Sequence, residues 1–334
     1  MALETLVNYR KVRNFVLSGS ILIVRRMVTL YAAPLQGFTE SAWRNAHAQV
    51  FGGVDAYYTP FVRLEKGGIR NKDRRELLPA GNSVPRLIPQ LVAAEPDEFR
   101  TLVEQVAGWG YREIDLNMGC PFPLIVNRKK GSGLLPFPDK VAALLRQMEA
   151  FPEIRFSIKM RLGWEHNDEW KEILPLLNGS CVRQLTLHPR IGKQQYKGTI
   201  DREAFSAFYE ACRLPLVYNG DLRTPDEMLE ILQSYPRLEG LMLGRGLLAN
   251  PALAADFRQG SPSSVSDLHR KVGQMHRLIC AEYARTLEGG EAQILQKLKT
   301  FWDYCLPDLD KKARKAILKS NRLDAYLRAV DEAL

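Results

Sequence analysis

Eight short apolar runs, separated by longer amphipathic or charged stretches, dominate the chain between residues 29 and 257. The runs are rich in Ile, Leu and Val and lack strict polar alternation, as is typical of parallel strands that helices cover. Eight strands alternating with helices predict an α/β fold, a closed (β/α)8 TIM barrel over residues 27–257. A doubly wound open sheet is the alternative, and it is disfavoured because no Gly-x-Gly-x-x-Gly follows the first run. The predicted strands are Thr29–Ala33, Ala56–Phe61, Arg86–Leu91, Glu113–Asn117, Phe156–Arg161, Gln184–His188, Leu216–Asn219 and Gly240–Leu243.

Helices are predicted between these strands, where apolar residues recur with helical spacing. The clearest begins at Pro96, next to acidic side chains that suit the positive end of a helix. Residues Glu65–Leu78 are highly charged and favour a long loop instead. The predicted barrel helices are Ser41–Phe51, Pro96–Gly108, Pro138–Ala150, Glu169–Leu177, Arg202–Cys212, Thr224–Ser234 and Asn250–Phe257.

The chain changes character after the last of these helices. Residues 258–266 are rich in Gly, Pro and Ser and are predicted to be a linker. Beyond them the spacing is purely helical, which predicts a separate all-α domain over residues 267–334. Its predicted helices are Leu268–Leu287, Glu291–Leu306, Asp310–Lys319 and Asn321–Leu334.

Residues 1–26 carry five basic side chains and one acid. Their apolar stretch, Phe15 to Val24, is shorter than the roughly 20 residues that span a bilayer. A processed targeting segment and a native helical extension are two interpretations. The favoured one is an over-long gene call with initiation at Met27, which makes 1–26 a non-native or poorly ordered extension.

The net charge and the cysteines indicate the kind of partner and the cellular compartment. The formal charge of +9 suggests a polyanionic partner, although many basic proteins bind no nucleic acid. The five cysteines are odd in number and form no C-x-x-C pair. This favours a reducing, cytoplasmic compartment and disfavours a structural zinc site. We also expect a monomer with no metal and no membrane partner.

Glycine-containing tripeptides end the last two predicted strands. They are Asn219-Gly220-Asp221 and Gly244-Arg245-Gly246. Loops after strands seven and eight form the usual phosphate site of such barrels, and glycine lets backbone N–H groups approach an anion. The alternative is that each glycine only makes a turn. Because two such tripeptides follow consecutive strands, we predict a phosphate site with Arg245 supplying charge.

Two further residues, one inside a strand and one at a strand end, point to chemistry. Lys159 lies inside an apolar strand, where an unpaired amine is costly, so it requires an anionic partner. That partner is either a reduced flavin or a carboxylate of the core. Cys120 lies between Gly119 and Pro121 at a strand end. Its thiol could protonate a carbanion or enolate, and the alternative is an inert buried cysteine.

These motifs, taken together, resemble the tRNA-dihydrouridine synthase family over residues 29–255. The most specific is Asn117-Met-Gly-Cys-Pro121, followed by Val126-Asn-Arg-Lys-Lys-Gly-Ser132. Further matching segments are Ala33-Pro34-x-x-Gly37, Gln90, Lys159 with Arg161-Leu-Gly-Trp164, His188-x-Arg190, Asn219-Gly220-Asp221 and Gly244-Arg-Gly-x-x-x-Asn-Pro251.

The resemblance implies FMN in the barrel, reduced by NADPH, and hydride transfer to C6 of a D-loop uridine in tRNA. Cys120 would give the proton to C5, and the uridine would have to be turned out of the tRNA. The cofactor-binding residues expected are Pro34, Leu35, Gln36, Gln90, Lys159, His188, Asn219, Gly220, Asp221, Gly244 and Arg245. The substrate-binding residues expected are Asn117, Arg161, Arg128, Lys129 and Lys130.

The helical domain would bind tRNA by recognising the shape and the backbone of the RNA. Residues 297–322 hold eight basic side chains against three acids, with Trp302 and Tyr304 among them. The alternative is a solvated charged face whose aromatic residues turn to the core.

The sequence departs from the family pattern at Leu35, at Thr59-Pro60-Phe61 and at Pro189. Proline at 189 removes a backbone donor, so we expect a rearranged flavin contact there. The sequence leaves two alternative functions open: an FMN barrel that reduces a small molecule, and a non-catalytic tRNA-binding protein.

Overall fold

A computed structural model describes residues 24, 25 and 27–334. The predictions for residues 1–26 therefore lie outside the described residues, apart from positions 24 and 25. The strands are β1 (Thr29–Ala32), β2 (Ala56–Tyr58), β3 (Leu64–Glu65), β4 (Gly68–Ile69), β5 (Leu87–Ile88), β6 (Gln90–Leu91), β7 (Glu113–Met118), β8 (Arg155–Gly163), β9 (Gln184–Ile191), β10 (Leu216–Tyr218) and β11 (Leu238–Leu243).

Nine of these strands form one parallel sheet in the order β5-β2-β1-β11-β10-β9-β8-β7-β6. Its first and last members, β5 and β6, are the two halves of the predicted third strand, interrupted at Pro89. Proline lacks the N–H that a central strand must donate, which accounts for the break. The sheet thus begins and ends on one stretch of chain and closes into a barrel. This confirms the predicted fold.

The helices lie close to their predicted positions. Helices form where the sequence supplies an apolar face and a cap, as at Thr224, whose hydroxyl accepts from the backbone N–H of Glu227. They are α1 (Ser41–Val50), α2 (Asn71–Leu77), α3 (Pro96–Gly108), α4 (Pro123–Val126), α5 (Pro138–Met148), α6 (Trp170–Asn178), α7 (Arg202–Ala211), α8 (Pro225–Ser234), α9 (Arg245–Ala249), α10 (Leu253–Gln259), α11 (Val265–Thr286), α12 (Gly290–Phe301), α13 (Lys311–Lys319) and α14 (Leu323–Ala333).

The loop prediction for residues 65–78 was wrong, because the segment holds the β3–β4 hairpin and α2. Long-range contacts stabilise this helix. The buried guanidinium of Arg44 donates to a Glu76 carboxylate oxygen at 3.0 Å and to its backbone carbonyl at 3.0 Å. Leu77 is fully buried. The local pattern of apolar residues in the sequence predicts none of these contacts.

The predicted linker is shorter in the structure. Helix α10 extends to Gln259, and Gly260 then adopts a left-handed backbone conformation with φ of 81°. Ser264 begins α11 by accepting a hydrogen bond from the backbone N–H of Asp267. Only residues 260–264 therefore separate the barrel from the C-terminal helices.

The C-terminal helices pack on the barrel, chiefly α11 against α1. Trp302 is fully buried, and its indole N–H donates to the Tyr326 hydroxyl at 2.8 Å. His276 Nε2 lies 2.7 Å from the same hydroxyl. Trp302 thus belongs to the core, as the alternative interpretation of this segment held. None of the helices in the described part of the chain is long and apolar enough to cross a membrane.

Candidate active site

A cavity opens at the carboxyl ends of the barrel strands. This is the end of the barrel where the loops build the active sites of such folds. Several of its wall residues were not predicted to belong to the site, among them Tyr196, Arg223 and Met242. The predicted site residues that line it are Pro34, Leu35, Gln36, Asn117, Cys120, Lys159, Arg161, His188, Asn219, Gly220, Asp221, Gly244 and Arg245.

Cys120 lies in a tightly held loop after β7. Asn117 Oδ1 accepts the backbone N–H groups of Cys120 and Gly119 at 2.8 and 3.1 Å. A Cβ at Gly131 would lie only 2.5 Å from the Cys120 carbonyl oxygen, so this approach requires glycine. Burial raises the pKa of the Cys120 thiol, and nearby Arg161 and Lys159 only partly offset this. The group is therefore a protonated thiol at neutral pH.

Gln90 does not line the cavity but lies behind Asn117. It is fully buried, and its Oε1 accepts from Asn117 Nδ2 at 2.8 Å while its Nε2 donates to Asp115 at 2.7 Å. The other Asp115 oxygen accepts from the Ser157 hydroxyl at 2.6 Å. The oxygen and the nitrogen of the Gln90 side-chain amide thus both have hydrogen-bond partners. Gln90 orients Asn117, and through Asn117 the loop that carries Cys120.

Replacing this amide should loosen the cysteine loop. We expect Gln90→Leu to lower the free energy of unfolding by about 1–3 kcal/mol, because buried Asp115 and Asn117 each lose a hydrogen-bond partner. Urea denaturation measures this loss, and Gln147→Leu, at an exposed pair with Arg100, is the matched control. Equal stability of the two variants would contradict the positioning role.

Lys159 is a half-buried cation of the cavity wall. No hydrogen bond or ion pair to its amine occurs among the residues that the structure describes. Burial, together with Arg161, lowers its pKa to about 8, and Asp115 partly opposes this shift. Burial raises the pKa of Asp115 itself to about 6. The carboxylate of Asp115 is already hydrogen-bonded to Gln90 and Ser157, and the amine of Lys159 faces the cavity.

His188 faces the same cavity in its neutral form. Burial and the nearby cations Arg161 and Lys159 hold its pKa well below the usual value. Its Nε2 lies 3.0 Å from Nη1 of Arg190, which can only donate, so Nε2 accepts and the proton resides on Nδ1. His188 is therefore a neutral polar group of the wall.

An ion-pair network supports the loops after β10 and β11. Arg190 is 1% exposed, and its two Nη atoms donate to the two carboxylate oxygens of Asp221 at 3.1 and 2.5 Å. Arg245 Nη2 donates to Asp221 as well, at 2.8 Å. Burial opposes ionisation of Asp221, but the two arginines outweigh it and lower its pKa. The carboxylate thus joins the two predicted glycine turns.

Removing Asp221 would leave the buried Arg190 guanidinium without its carboxylate. We expect Asp221→Ala to destabilise the protein by about 2–3 kcal/mol at pH 7. Because folding lowers the pKa of Asp221, this stabilisation is present above its unfolded pKa and is lost as pH falls through the folded value. Chemical denaturation against pH should show the two proteins converging in acid. Asp324→Ala, at an exposed ion pair, should have little effect at any pH.

Tyr196 lies at the rim, with the guanidinium carbons of Arg161 and Arg245 at 5.6 and 5.1 Å from its ring centre. Arg161 is buried and donates to the carbonyls of Gly119 and Ile191, each at 2.9 Å. Burial lowers the pKa of Arg161 to about 10, so it stays charged at neutral pH. The one sequence signal for Tyr196 is an aromatic residue in an otherwise polar loop.

The basic residues after Cys120 lie outside the cavity. Lys130 forms an ion pair with Glu98. The Lys129 amine lies 4.4 Å from the ring centre of Phe137, and Arg128 is exposed. The structure therefore does not bring these three predicted substrate-binding residues into the cavity wall. Within the described residues, no group of three or more His, Cys, Asp or Glu side chains is arranged to hold a metal ion.

Comparison with known proteins agrees with this geometry. A probable tRNA-dihydrouridine synthase of Staphylococcus aureus (strain COL) is 29% identical over 248 residues, 71% of this chain and 74% of the relative. The tRNA-dihydrouridine synthase B of Pasteurella multocida is 28% identical over 231 residues, 67% of each chain. A morphinone reductase variant, solved with tetrahydroNAD, has a TM-score of 0.51 at 10% identity over 72% of this chain and 90% of its own, a likeness of fold. Residues 31–321 match the family model for dihydrouridine synthase (Dus), and the chain therefore belongs to the dihydrouridine synthase family.

Proposed function

We propose that this protein is a tRNA-dihydrouridine synthase that reduces the C5=C6 bond of a D-loop uridine in tRNA. One observation carries the proposal within this family. The protonated thiol of Cys120 and the unpaired amine of Lys159 line the same cavity. When bound there, FMN would supply hydride to C6, after taking it from NADPH.

The donor set of the cavity fits FMN. Its four cations, Lys159, Arg161, Arg223 and Arg245, outnumber the single acid of its wall, Asp221, which is already paired. Gly220, Gly244 and Arg245 lie where barrels of this kind hold a phosphate. Asp221 would contribute there through its backbone, because its carboxylate binds two arginines. The residues that would surround the flavin ring are Pro34, Leu35, Gln36, Lys159 and His188.

Cys120 is the proposed catalytic acid. The C4 carbonyl of uracil makes C5=C6 electron-poor, so that negative charge develops toward C5 and O4 once C6 is reduced. The buried thiol retains its proton at neutral pH and would deliver it to C5. Asn117 would hold this acid in place through the Cys120 backbone N–H, and Arg161 does so through the Gly119 carbonyl. Asn117 and Arg161, both on the wall, are also proposed to contact the uracil.

A base in folded tRNA reaches this cavity only if it is turned out of its stack. Arg128, Lys129 and Lys130 follow the Cys120 loop along the chain and are proposed to contact phosphates outside the cavity. The helical domain, residues 267–334, is proposed to bind the tRNA backbone. Within its segment 297–322, the exposed basic residues are Lys311, Lys312, Lys315, Lys319 and Arg322. We place the protein in the cytoplasm as a monomer.

The test is direct reconstitution. Purified protein with FMN and NADPH should convert one uridine of an unmodified tRNA transcript to dihydrouridine, detected by mass spectrometry of nuclease fragments. A yellow protein that oxidises NADPH with a small enone but leaves tRNA unchanged would support the small-molecule reductase instead. A colourless protein that binds tRNA would support the non-catalytic alternative.

A further inference from the structure

Exposed apolar side chains concentrate at the mouth of the cavity. Seven large hydrophobic residues are strongly exposed in the described part of the chain. Three of them belong to the cavity or to the loop beside it: Phe122 at 56%, Leu124 at 61% and Tyr196 at 45%. Exposed apolar clusters of this kind mark surfaces that bind a partner.

The backbone holds Phe122 in place. It lies between Pro121 and Pro123, and its own φ and ψ of −67° and 131° are the extended values that a residue before proline adopts. Its backbone carbonyl accepts hydrogen bonds from the backbone N–H groups of Ile125 and Val126 at 2.8 and 3.1 Å. The ring therefore projects from a rigid loop directly beside the proposed catalytic acid, and little conformational entropy is lost when a ligand covers it.

Charge beside this ring indicates the chemistry of the ligand. Arg128 and Lys129 lie just beyond α4, and both are exposed. The side chain of Arg128 makes no hydrogen bond or ion pair with any residue that the structure describes. An aromatic ring and exposed cations on one short segment are the combination that binds a stacked base together with its phosphates.

We propose that Phe122, supported by Leu124, stacks on the nucleotide next to the extruded uridine. Extrusion leaves the neighbouring base without a stacking partner on one side. An apolar side chain can take that place and stabilise the extruded state, as wedge residues do in bent nucleic acids. The proposal rests on the proposed function and names Phe122 as a substrate-positioning residue.

The experiment compares Phe122→Ala, Phe122→Trp and Val265→Ser, each loaded with FMN, using NADPH and an unmodified tRNA transcript. Val265 is 71% exposed but lies at the start of α11, away from the cavity. We expect Phe122→Ala to lower kcat/KM for tRNA at least about fivefold. Phe122→Trp should restore it, and its added indole fluorescence should be quenched by bound tRNA. Val265→Ser should match the parent protein.

NADPH-dependent reduction of bound FMN without tRNA should be equal in all these proteins. Unchanged kcat/KM in Phe122→Ala overturns the stacking role and leaves this surface to a protein partner. A loss that Phe122→Trp does not reverse also overturns it. Absence of dihydrouridine with the parent protein itself would refute the proposed function, which is a separate outcome.

Discussion

Cys120→Ala should bind FMN and oxidise NADPH like the parent protein but reduce tRNA uridine about 10²–10⁴-fold more slowly. That range is the contribution of one well-placed general acid. Alanine removes the proton donor but keeps the backbone N–H that Asn117 accepts at 2.8 Å, so the loop should remain in place. Rapid-mixing experiments separate the two half-reactions, because flavin reduction by NADPH is followed before tRNA is added and reoxidation afterwards.

The matched control is Cys181→Ala, which removes a partly exposed thiol that does not line the cavity. Its two half-reactions should both be unchanged. A pH profile adds a second readout, because the raised pKa of Cys120 keeps its proton available through neutral pH. Full tRNA turnover by Cys120→Ala would contradict the proton-donor role. Loss of flavin reduction together with tRNA reduction would show that the substitution had damaged the site.

The sequence was sufficient to predict the barrel and most of its cavity. Continuous apolar runs specify buried parallel strands, and each run ends in residues that cannot be explained by packing, such as Cys120 after β7. Because parallel strands in a barrel share one end, residues far apart in the chain had to meet there. This reasoning brought Asn117, Lys159 and Asn219 together correctly without any knowledge of loop structure.

Features that depend on distant partners escaped prediction. Helix α2 is held by the Arg44–Glu76 contact, and Lys297, expected on a tRNA-binding face, is instead paired with Glu40 at 2.7 Å. Gln90 lies at the right strand end, yet its register turns it behind the wall. Tyr196 reaches the rim through a loop whose path follows from no periodic pattern.

Lys159→Met should raise the stability of the flavin-free protein and slow the reaction of the flavin-loaded protein. In the protein freed of flavin, the pKa of Lys159 is lowered from 10.5 to about 8. Its protonated form therefore destabilises the fold at pH 7, by on the order of 2–3 kcal/mol. We expect the methionine variant to be more stable by that order. In the flavin-loaded protein the same change should slow NADPH-dependent flavin reduction about 10²-fold, because the charge that stabilises a reduced, anionic flavin is lost.

The pH dependence of the free energy of unfolding tests the direction of the Lys159 pKa shift. Between pH 8 and 10.5 the unfolded chain binds more protons at Lys159 than the folded protein does, so the stability of the parent protein should rise there. The stability difference from Lys159→Met should shrink over the same window, and Lys171→Met, at an exposed position of α6, should show no difference at any pH. Denaturant titrations of the flavin-free proteins at pH 7 and pH 9.5 measure this. Equal stability of parent and Lys159→Met at pH 7 would mean that Lys159 already has an anionic partner within the chain, and its assignment to the flavin would fail with it.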